Sequence, residues 1–273
     1  MSGGDPMIRI GTSSWSAPSW EGVFYPQGMP SGDYISHYSS RFNTVEIDAT
    51  FYRIPTERMV DRWREKTPPG FIFSAKIPQV ITHEKMLEGC GEEFGTFLRV
   101  MDRLGDRLGP LLFQFRYFRK AEFPDPRPFI EKLERFLPAL PSEHRFAVEV
   151  RNKNFVTPRF IDLLRRHRVA LALIDHPWFH RIGALMKRSE ILTADFAYIR
   201  WLGDRHGIEK KTKRWDRLIQ DRRREMGEWV PAIRTLLEGG RDVYGYFNNH
   251  YAGYAVGSID LFHKMWEEPA AAP

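Results

Sequence analysis

The sequence has almost no cysteine and no long apolar run. Cys90 is the only cysteine among 273 residues, which excludes an intrachain disulfide and fits a reducing compartment. No apolar stretch approaches the roughly 18 residues that a membrane span needs, so we expect no transmembrane helix. Residues 1–7 are small and polar, which predicts a disordered start and no secretory signal. These absences predict a cytoplasmic protein without a membrane partner.

Two motif classes are also lacking. No Gly-rich phosphate loop follows the first predicted strand, which argues against the alternative of an open doubly wound sheet. No His-Glu-x-x-His spacing occurs either. Histidines do fall in predicted loops on one face, at His83, His176, His180, His206 and His250. We therefore assign no metal ligand and no required cofactor, and a divalent metal held by such histidines stays an alternative.

The positive charge is concentrated in one segment. Residues 205–224 contain nine Lys or Arg and three acids, so this segment alone carries the net charge of +6. A protein that coats nucleic acid usually spreads its basic residues over a wider face. We interpret the segment as the solvated face of a helix, with a basic, phosphate-holding rim as the alternative.

Short apolar segments alternate with helical patterns along the whole chain. Each short segment is apolar or β-branched and ends in a polar residue, as strands buried on both faces do. The eight segments are residues 8–11, 44–47, 72–76, 111–115, 145–150, 170–174, 197–201 and 242–247. Stripes at helical spacing lie between them, the longest from about Trp215 to Leu237.

This alternation, with a hydrophobic content of 42%, predicts an α/β fold. Eight strand-to-helix units in 273 residues are ordinary for one closed barrel with a parallel core. We predict a single TIM-type (β/α)8 barrel over residues 8–268, followed by a short tail at 269–273.

Polar side chains end most of the predicted strands, and those ends form one face of such a barrel. The first five strands lead to Trp15, to Glu46 and Asp48 followed by Tyr52, to Lys76, to Gln114, and to Glu149 and Arg151. The last three lead to Asp175, to Arg200 followed by His206, and to Asn248 and Asn249.

Strand alternation and the narrow lumen together predict ion pairs. Glu46 and Asp48 share one face of their strand, and Glu149 shares a face with Arg151. Charges inside a narrow barrel must be paired or face the mouth. The acids Glu46, Asp48, Glu149 and Asp175 are available to pair with Lys76, Arg151 and Arg200. A network that only holds the barrel shut is the structural alternative.

Six motifs in this order resemble the YecE-like family of bacterial and archaeal barrel proteins of unknown function. They are Ile10-Gly11-Thr12-Ser13-Ser14-Trp15, Phe24-Tyr25-Pro26, the run Val45 to Tyr52, Leu112-Phe113-Gln114, Val148-Glu149-Val150-Arg151 and Tyr246-Phe247-Asn248-Asn249. The chain departs from the family at Ser14, where glycine is usual, and at Asp48, where asparagine is usual. The resemblance implies a TIM-type barrel in the cytoplasm and supplies no reaction.

The polar strand ends favour an enzyme acting by acid–base chemistry on a small phosphate-, carboxylate- or sugar-bearing substrate. Glu46, Lys76 and Glu149 are the candidate catalytic residues. The candidate substrate-binding residues are Trp15, Asp48, Tyr52, Gln114, Arg151, Asp175, Arg200, His206, Asn248 and Asn249. Two alternatives remain: a nucleic-acid-binding protein that uses residues 205–224, and a metal-dependent phosphodiesterase or isomerase-like barrel.

Overall fold

The strands of the protein all pair in parallel, as the sequence predicts. The computed structural model describes residues 5–188 and 191–268. Its strands are β1 Ile8–Thr12, β2 Thr44–Ile47, β3 Ile72–Lys76, β4 Leu108–Gln114, β5 Phe146–Glu149, β6 Ala170–Leu171, β7 Leu173–Asp175, β8 Phe196–Trp201 and β9 Asp242–Phe247. Three of the eight predicted segments have the observed bounds, and most others differ by one to three residues at an end.

Two hydrogen-bonded sheets form the barrel wall, in the orders β2-β3-β4-β5-β6 and β1-β9-β8-β7. The predicted sixth strand is divided at Ala172 into β6 and β7. Its first half pairs with β5 and its second half with β8, so this one segment joins the two sheets. Eight strand positions therefore follow one another around the wall, and the fold is the predicted (β/α)8 barrel.

The remaining seam, between β1 and β2, is bridged by a side chain. The Tyr38 hydroxyl accepts from the Thr12 backbone N–H at 2.8 Å and donates to the Thr44 carbonyl at 3.1 Å. Gly11 lies so close to β2 that a Cβ there would be 2.1 Å from the Thr44 carbonyl oxygen. The two strands approach closely because position 11 has no side chain, and the Tyr38 hydroxyl takes the place of backbone hydrogen bonds between them.

Amphipathic helices of eight or more residues cover the outside of the wall, and shorter helices lie in the connections between strands. The helices are α1 Tyr34–Arg41, α2 Glu57–Glu65, α3 Gly91–Met101, α4 Arg127–Phe136, α5 Pro158–Arg166, α6 Ile182–Met186, α7 Arg205–Glu209, α8 Arg223–Glu238, α9 Asn249–Ala252 and α10 Ala255–Glu267. Thr56 and Thr157 cap α2 and α5, because the side chain of each accepts from the backbone N–H of the third residue of its helix.

The predicted long helix from Trp215 is wrong at its start. The described chain is irregular from 213 to 222, and α8 begins at Arg223. The Trp215 N–H donates to Ser19 Oγ at 3.0 Å, and its ring packs edge-on against His250 at 4.8 Å. These long-range contacts hold the segment across the barrel end.

No helix among the described residues combines the length and the apolar character needed to cross a membrane. Of the predicted irregular start at 1–7, residues 1–4 lie outside the described chain, and β1 begins at Ile8. The predicted tail at 269–273 also lies outside the described residues.

Candidate functional site

A buried cluster of alternating charge fills the C-terminal part of the lumen. Arg200, on β8, donates from Nη2 to Glu46 Oε1 at 2.7 Å and from Nη1 to Glu149 Oε2 at 2.5 Å. The side chains of Glu46 and Glu149 are 0% exposed and that of Arg200 is 2% exposed. The strands β2, β5 and β8 thus bring together three residues that are far apart in sequence. Strand alternation in a narrow lumen predicts that these charges are paired, and the structure gives Arg200 as the partner of both carboxylates.

Tyrosines complete the hydrogen bonding of this cluster. The Tyr198 hydroxyl donates to Glu46 Oε2 at 2.7 Å, so both oxygens of this buried carboxylate are satisfied. The Tyr246 hydroxyl lies 2.9 Å from Thr44 Oγ1 and 2.7 Å from Ser74 Oγ. Burial is the largest cause that raises the pKa of Tyr198, and the nearby Glu46 carboxylate raises it further. The hydroxyl therefore keeps its proton and acts as a donor.

Arg151 extends the cluster to the surface of the mouth. Its Nε donates to Glu149 Oε1 at 2.6 Å, and its side chain is 27% exposed. Burial alone would raise the pKa of Glu149, but the guanidinium groups of Arg200 and Arg151 outweigh burial and lower this pKa to about 2. Glu149 is therefore ionised at neutral pH and fixes the position of Arg151.

A second ion pair lies beside this cluster. Lys76 Nζ donates to Asp48 Oδ1 at 2.7 Å and lies 4.7 Å from the centre of the Phe51 ring. Lys76 is 7% exposed, whereas the Asp48 side chain is 34% exposed. Thr50 holds the turn that carries Asp48 by donating to the carbonyl oxygens of Ile47 and Lys76. The Asp48 carboxylate is therefore accessible from the mouth, whereas the Lys76 ammonium that it pairs with is buried.

Two histidines of the mouth have low pKa values. Burial, then the positive charges of Arg116 and Lys76, lowers the pKa of His83 to about 4. Burial, then Arg151, lowers the pKa of His176 to about 4. Both imidazoles are neutral at neutral pH. Burial is the largest cause of both shifts, and nearby guanidinium or ammonium groups lower both pKa values further.

Only one ring nitrogen of His83 has a hydrogen-bond partner among the described residues. His83 lies in a π-helical turn, Val80–Glu84, and its Nδ1 is 2.8 Å from Thr82 Oγ1. In the tautomer protonated at Nδ1, Thr82 Oγ1 accepts from the ring and donates its own hydrogen to the Pro78 carbonyl at 3.4 Å. This neutral tautomer has an unprotonated Nε2, which is able to accept a proton. In His176, Nδ1 instead accepts from the Trp178 N–H at 3.3 Å.

Asp175 and Trp15, which are expected at the mouth, lie elsewhere, and the last residue of β8 is buried. Asp175 Oδ2 accepts from Trp229 Nε1 of α8 at 2.9 Å, because Asp175 lies on the helix-facing side of β7; burial raises its pKa. The expected pairing of Asp175 with a cation is therefore wrong. Trp15 packs on Trp63 of α2, with ring centres 5.4 Å apart, in the helix layer. Trp201 is fully buried and stacks on Phe247, so it offers no face to a ligand.

The other predicted residues have local partners. Gln114 is buried and donates from Nε2 to the Phe115 carbonyl at 3.0 Å, and Tyr52 is 67% exposed against Phe51. Asn248 caps α9 through the His250 N–H, and Asn249 Oδ1 accepts from the Ala255 N–H.

His206 lies exposed on the short helix α7 beside the predicted basic segment. About half of the cations in residues 205–224 have an acidic partner nearby, namely Arg205, Arg214, Arg222 and Arg223. Five cations have side chains without a hydrogen bond or ion pair within the described chain, and all five are exposed: Lys210, Lys211, Lys213, Arg217 and Arg224. Residues 205–224 thus form a solvated surface on which acidic partners neutralise part of the positive charge.

The histidines do not converge with acids as metal ligands would. Within residues 5–188 and 191–268, no group of three or more His, Cys, Asp or Glu side chains is arranged to hold a metal ion. His250 instead lies between Asn248 Oδ1, 2.6 Å from its Nδ1, and Glu209 Oε1, 3.2 Å from its Nε2.

The sequence interpretation missed the loops that follow β4, β5 and β7. These loops line a cleft of about 440 Å³ beside Arg151. The lining residues are Tyr117, Arg151, Lys153, Asn154 and Trp178. The available signal was their position, since each follows a strand end by two to five residues.

Sequence comparison relates the chain to proteins of unassigned activity. The family described as "Protein of unknown function DUF72" matches residues 9–273. The UPF0759 protein YecE of Escherichia coli K12 is 35% identical over 150 residues, which are 55% of this chain and 50% of YecE. The chain thus spans about half the length of YecE in this match. The UPF0759 protein YunF of Bacillus subtilis is 25% identical over 271 residues, which cover 92% of this chain and 91% of YunF.

Solved structures give the same relationship. The crystal structure of a DUF72 family protein from Thermotoga maritima matches with a TM-score of 0.77 and 29% identity, covering 96% of this chain and 100% of that chain. A DUF72 family protein from Enterococcus faecalis matches with a TM-score of 0.70 and 20% identity, covering 98% of both chains, and it supports the fold. The predicted resemblance to YecE-like proteins is confirmed, and the chain belongs to the DUF72 family.

Proposed function

We propose that this chain is an enzyme that binds a small anionic substrate, carrying a phosphate or carboxylate, at the barrel mouth. The observation that carries the proposal is the geometry of Arg151. Its Nε is bonded to Glu149, and its two terminal nitrogens have no hydrogen-bond partner among the described residues. A guanidinium with its Nε anchored and both terminal nitrogens free is suited to a planar or tetrahedral anion.

The charges around Arg151 favour an anion over a cation. The buried carboxylates of Glu46 and Glu149 form ion pairs with Arg200, and Asp48 forms an ion pair with Lys76. Among the described residues, the cleft is lined by the cations Arg151 and Lys153 and by no acidic side chain. Positive charges also contribute, after burial, to the low pKa values of His83 and His176. An incoming anion therefore meets unpaired donors and positive charge.

The proton-transfer role fits His83 better than Glu149. A carboxyl with a pKa of about 2 is a poor general acid and a weak base at neutral pH, so we assign Glu149 to positioning Arg151. His83 has a free Nε2, and its pKa is lowered in part by Arg116, Lys76 and Arg151. An anion bound to these cations offsets their charge and so raises the pKa of His83, while the lowering by burial, the largest cause, remains. Substrate binding thereby makes His83 a stronger base.

The test combines anion affinity with histidine titration. We expect inorganic phosphate to bind, measured by isothermal titration calorimetry, and to raise the His83 midpoint seen by NMR. Arg151→Gln should weaken binding at least about tenfold, since a charged hydrogen bond contributes about 1.5–3 kcal/mol. Arg159→Gln is the matched control, because Arg159 pairs through Nε and Nη2 with surface Glu134. Equal affinity of Arg151→Gln and wild type contradicts the proposal.

Turnover separates an enzyme from a binding protein. Wild type is assayed on a panel of phosphate esters and carboxylates, and the active compound is then used with His83→Gln. We expect kcat to fall by about 100-fold or more with little change in phosphate affinity, as loss of a general base predicts. Unchanged kcat in His83→Gln overturns the assignment of the base, and a panel without any turnover overturns the enzyme proposal.

A second candidate function is nucleic-acid binding by residues 205–224. It is supported by the five exposed cations without acidic partners, Lys210, Lys211, Lys213, Arg217 and Arg224. Replacing the three lysines by alanine should weaken binding of a single-stranded oligonucleotide and reduce its salt dependence, as counterion release predicts. If the affinity does not depend on salt, this candidate is rejected.

We also propose that residues 8–268 act as one domain in the cytoplasm. One continuous hydrophobic cluster runs through the described residues, and Cys90 is a buried free thiol. Limited proteolysis should give a single resistant fragment, and cell fractionation should recover the protein with cytoplasmic markers. Two independently resistant fragments contradict the single domain.

A further inference from the structure

The cleft beside Arg151 is flanked by two exposed aromatic side chains. Strand order places β5 between β4 and the β6–β7 segment, so the loop with Arg151, Lys153 and Asn154 lies between the two neighbouring loops. Tyr117 comes three residues after β4, and Trp178 three residues after β7. The cationic loop therefore has an aromatic ring on each side.

These two rings are unusual in a chain whose aromatics are otherwise mostly packed. Tyr117 is 59% exposed and Trp178 is 63% exposed, whereas Trp20, Trp201 and Trp229 are at most 2% exposed. Trp178 contacts the His176 ring edge-on at 5.4 Å, and its remaining surface faces solvent. Large apolar rings gain free energy when a ligand covers them, and Tyr and Trp are favoured at such contacts.

We propose that the anionic ligand of this site carries an aromatic heterocycle, as a nucleoside monophosphate does. This inference rests on the proposed function, because it uses the same Arg151 for the phosphate, with Lys153 beside it. The base would stack on Trp178 or Tyr117. The Asn154 amide offers one acceptor and two donors, which suit the edge of a base. A free sugar fits less well, because no carboxylate lines the cleft to accept from its hydroxyl groups.

The test is calorimetric titration of the full chain with four probes that differ by one chemical part. The probes are inorganic phosphate, ribose phosphate, adenosine and adenosine monophosphate. We expect adenosine monophosphate to bind at least about tenfold more tightly than ribose phosphate, because stacking on an aromatic side chain is worth about that factor. This comparison uses wild type alone and does not depend on how a variant folds.

Variants assign the difference to the two rings. Trp178→Ala and Tyr117→Ala should each reduce the preference for adenosine monophosphate while leaving phosphate affinity unchanged. Tyr52→Ala is the control, since Tyr52 is a similarly exposed tyrosine, 67%, outside the cleft lining. Arg151→Gln should weaken both phosphate-bearing probes.

The outcomes separate the two proposals. Equal affinity for ribose phosphate and adenosine monophosphate overturns the heterocycle and leaves the anion site standing. A preference that persists in both ring variants, or that is lost equally in Tyr52→Ala, also overturns it. If inorganic phosphate and both phosphate-bearing probes fail to bind, the proposed function fails, and this inference fails with it.

Discussion

Replacing Glu149 by glutamine tests whether the buried charges hold the barrel mouth together. The substitution keeps the shape of the side chain and removes a charge that contacts both Arg200 and Arg151. The pKa of Glu149 is lowered from 4.5 to about 2, and each unit corresponds to about 1.4 kcal/mol, so the ionised form is favoured by about 3 kcal/mol. Removing one partner of a buried ion pair costs a similar amount, about 3–5 kcal/mol.

We therefore expect the free energy of unfolding of Glu149→Gln to be about 3 kcal/mol below that of wild type at neutral pH. For a chain of this size the Tm should fall by roughly 6–12 °C, at about 2–4 °C per kcal/mol. Urea unfolding followed by circular dichroism measures the first quantity and calorimetry the second. Glu134→Gln is the matched control, because its carboxylate pairs with Arg159 at the outer surface, and its effect should be much smaller.

The pH dependence of this difference distinguishes charge from packing. A carboxyl with a lowered folded-state pKa stabilises the protein fully above its unfolded pKa of about 4.5, and this stability is lost as the pH falls toward about 2. At about pH 3 the advantage of wild type over Glu149→Gln should be smaller by about 2 kcal/mol. A difference that stays constant across this range, or equal stability at neutral pH, refutes the electrostatic account.

Three further predictions concern the seam and the mouth. Tyr38→Phe removes the hydroxyl between β1 and β2 and should lower the free energy of unfolding by about 1–3 kcal/mol in urea titrations; an unchanged midpoint contradicts the bridge. Gly11→Ala places a Cβ against the Thr44 carbonyl and should lower the Tm more than Gly95→Ala, whose Cβ meets open space. His176 should titrate by NMR near its pKa of about 4, so stability attributable to its neutral form declines as the pH falls from 6.5 toward 4; a midpoint near 6.5 contradicts its burial.

The strand pattern predicts the barrel because its signal is local. Strands that are buried on both faces have short apolar sequences. Eight such sequences separated by helical stripes favour a closed barrel of parallel strands. Pairing of Glu46 and Glu149 with cations also follows, because side chains alternate along each strand and a narrow lumen does not tolerate an isolated charge. Which of Lys76, Arg151 and Arg200 is the partner comes only from the structure.

Features that depend on distant contacts could not be predicted in this way. The division of the sixth strand at Ala172 and the Tyr38 bridge depend on how the two sheets meet. Asp175 follows an apolar strand as Glu149 does, yet it faces α8 and bonds to Trp229. Alternation predicts which residues share a face of a strand. For a short strand, only the packed structure shows which of the two faces points into the lumen.

The open end of the charge cluster argues that the network does more than close the barrel. A buried ion network is a weak and costly way to stabilise a fold, and a purely structural one is complete when each charge is neutralised inside. Glu46, Arg200 and Glu149 carry a net negative charge, which Arg151 balances, and Arg151 reaches the mouth with two terminal nitrogens that have no partner among the described residues. Lysine would balance the charge equally well but lacks the fork that engages Glu149 with one edge and a ligand with the other. The arrangement is therefore suited to aiming a guanidinium at a bound anion.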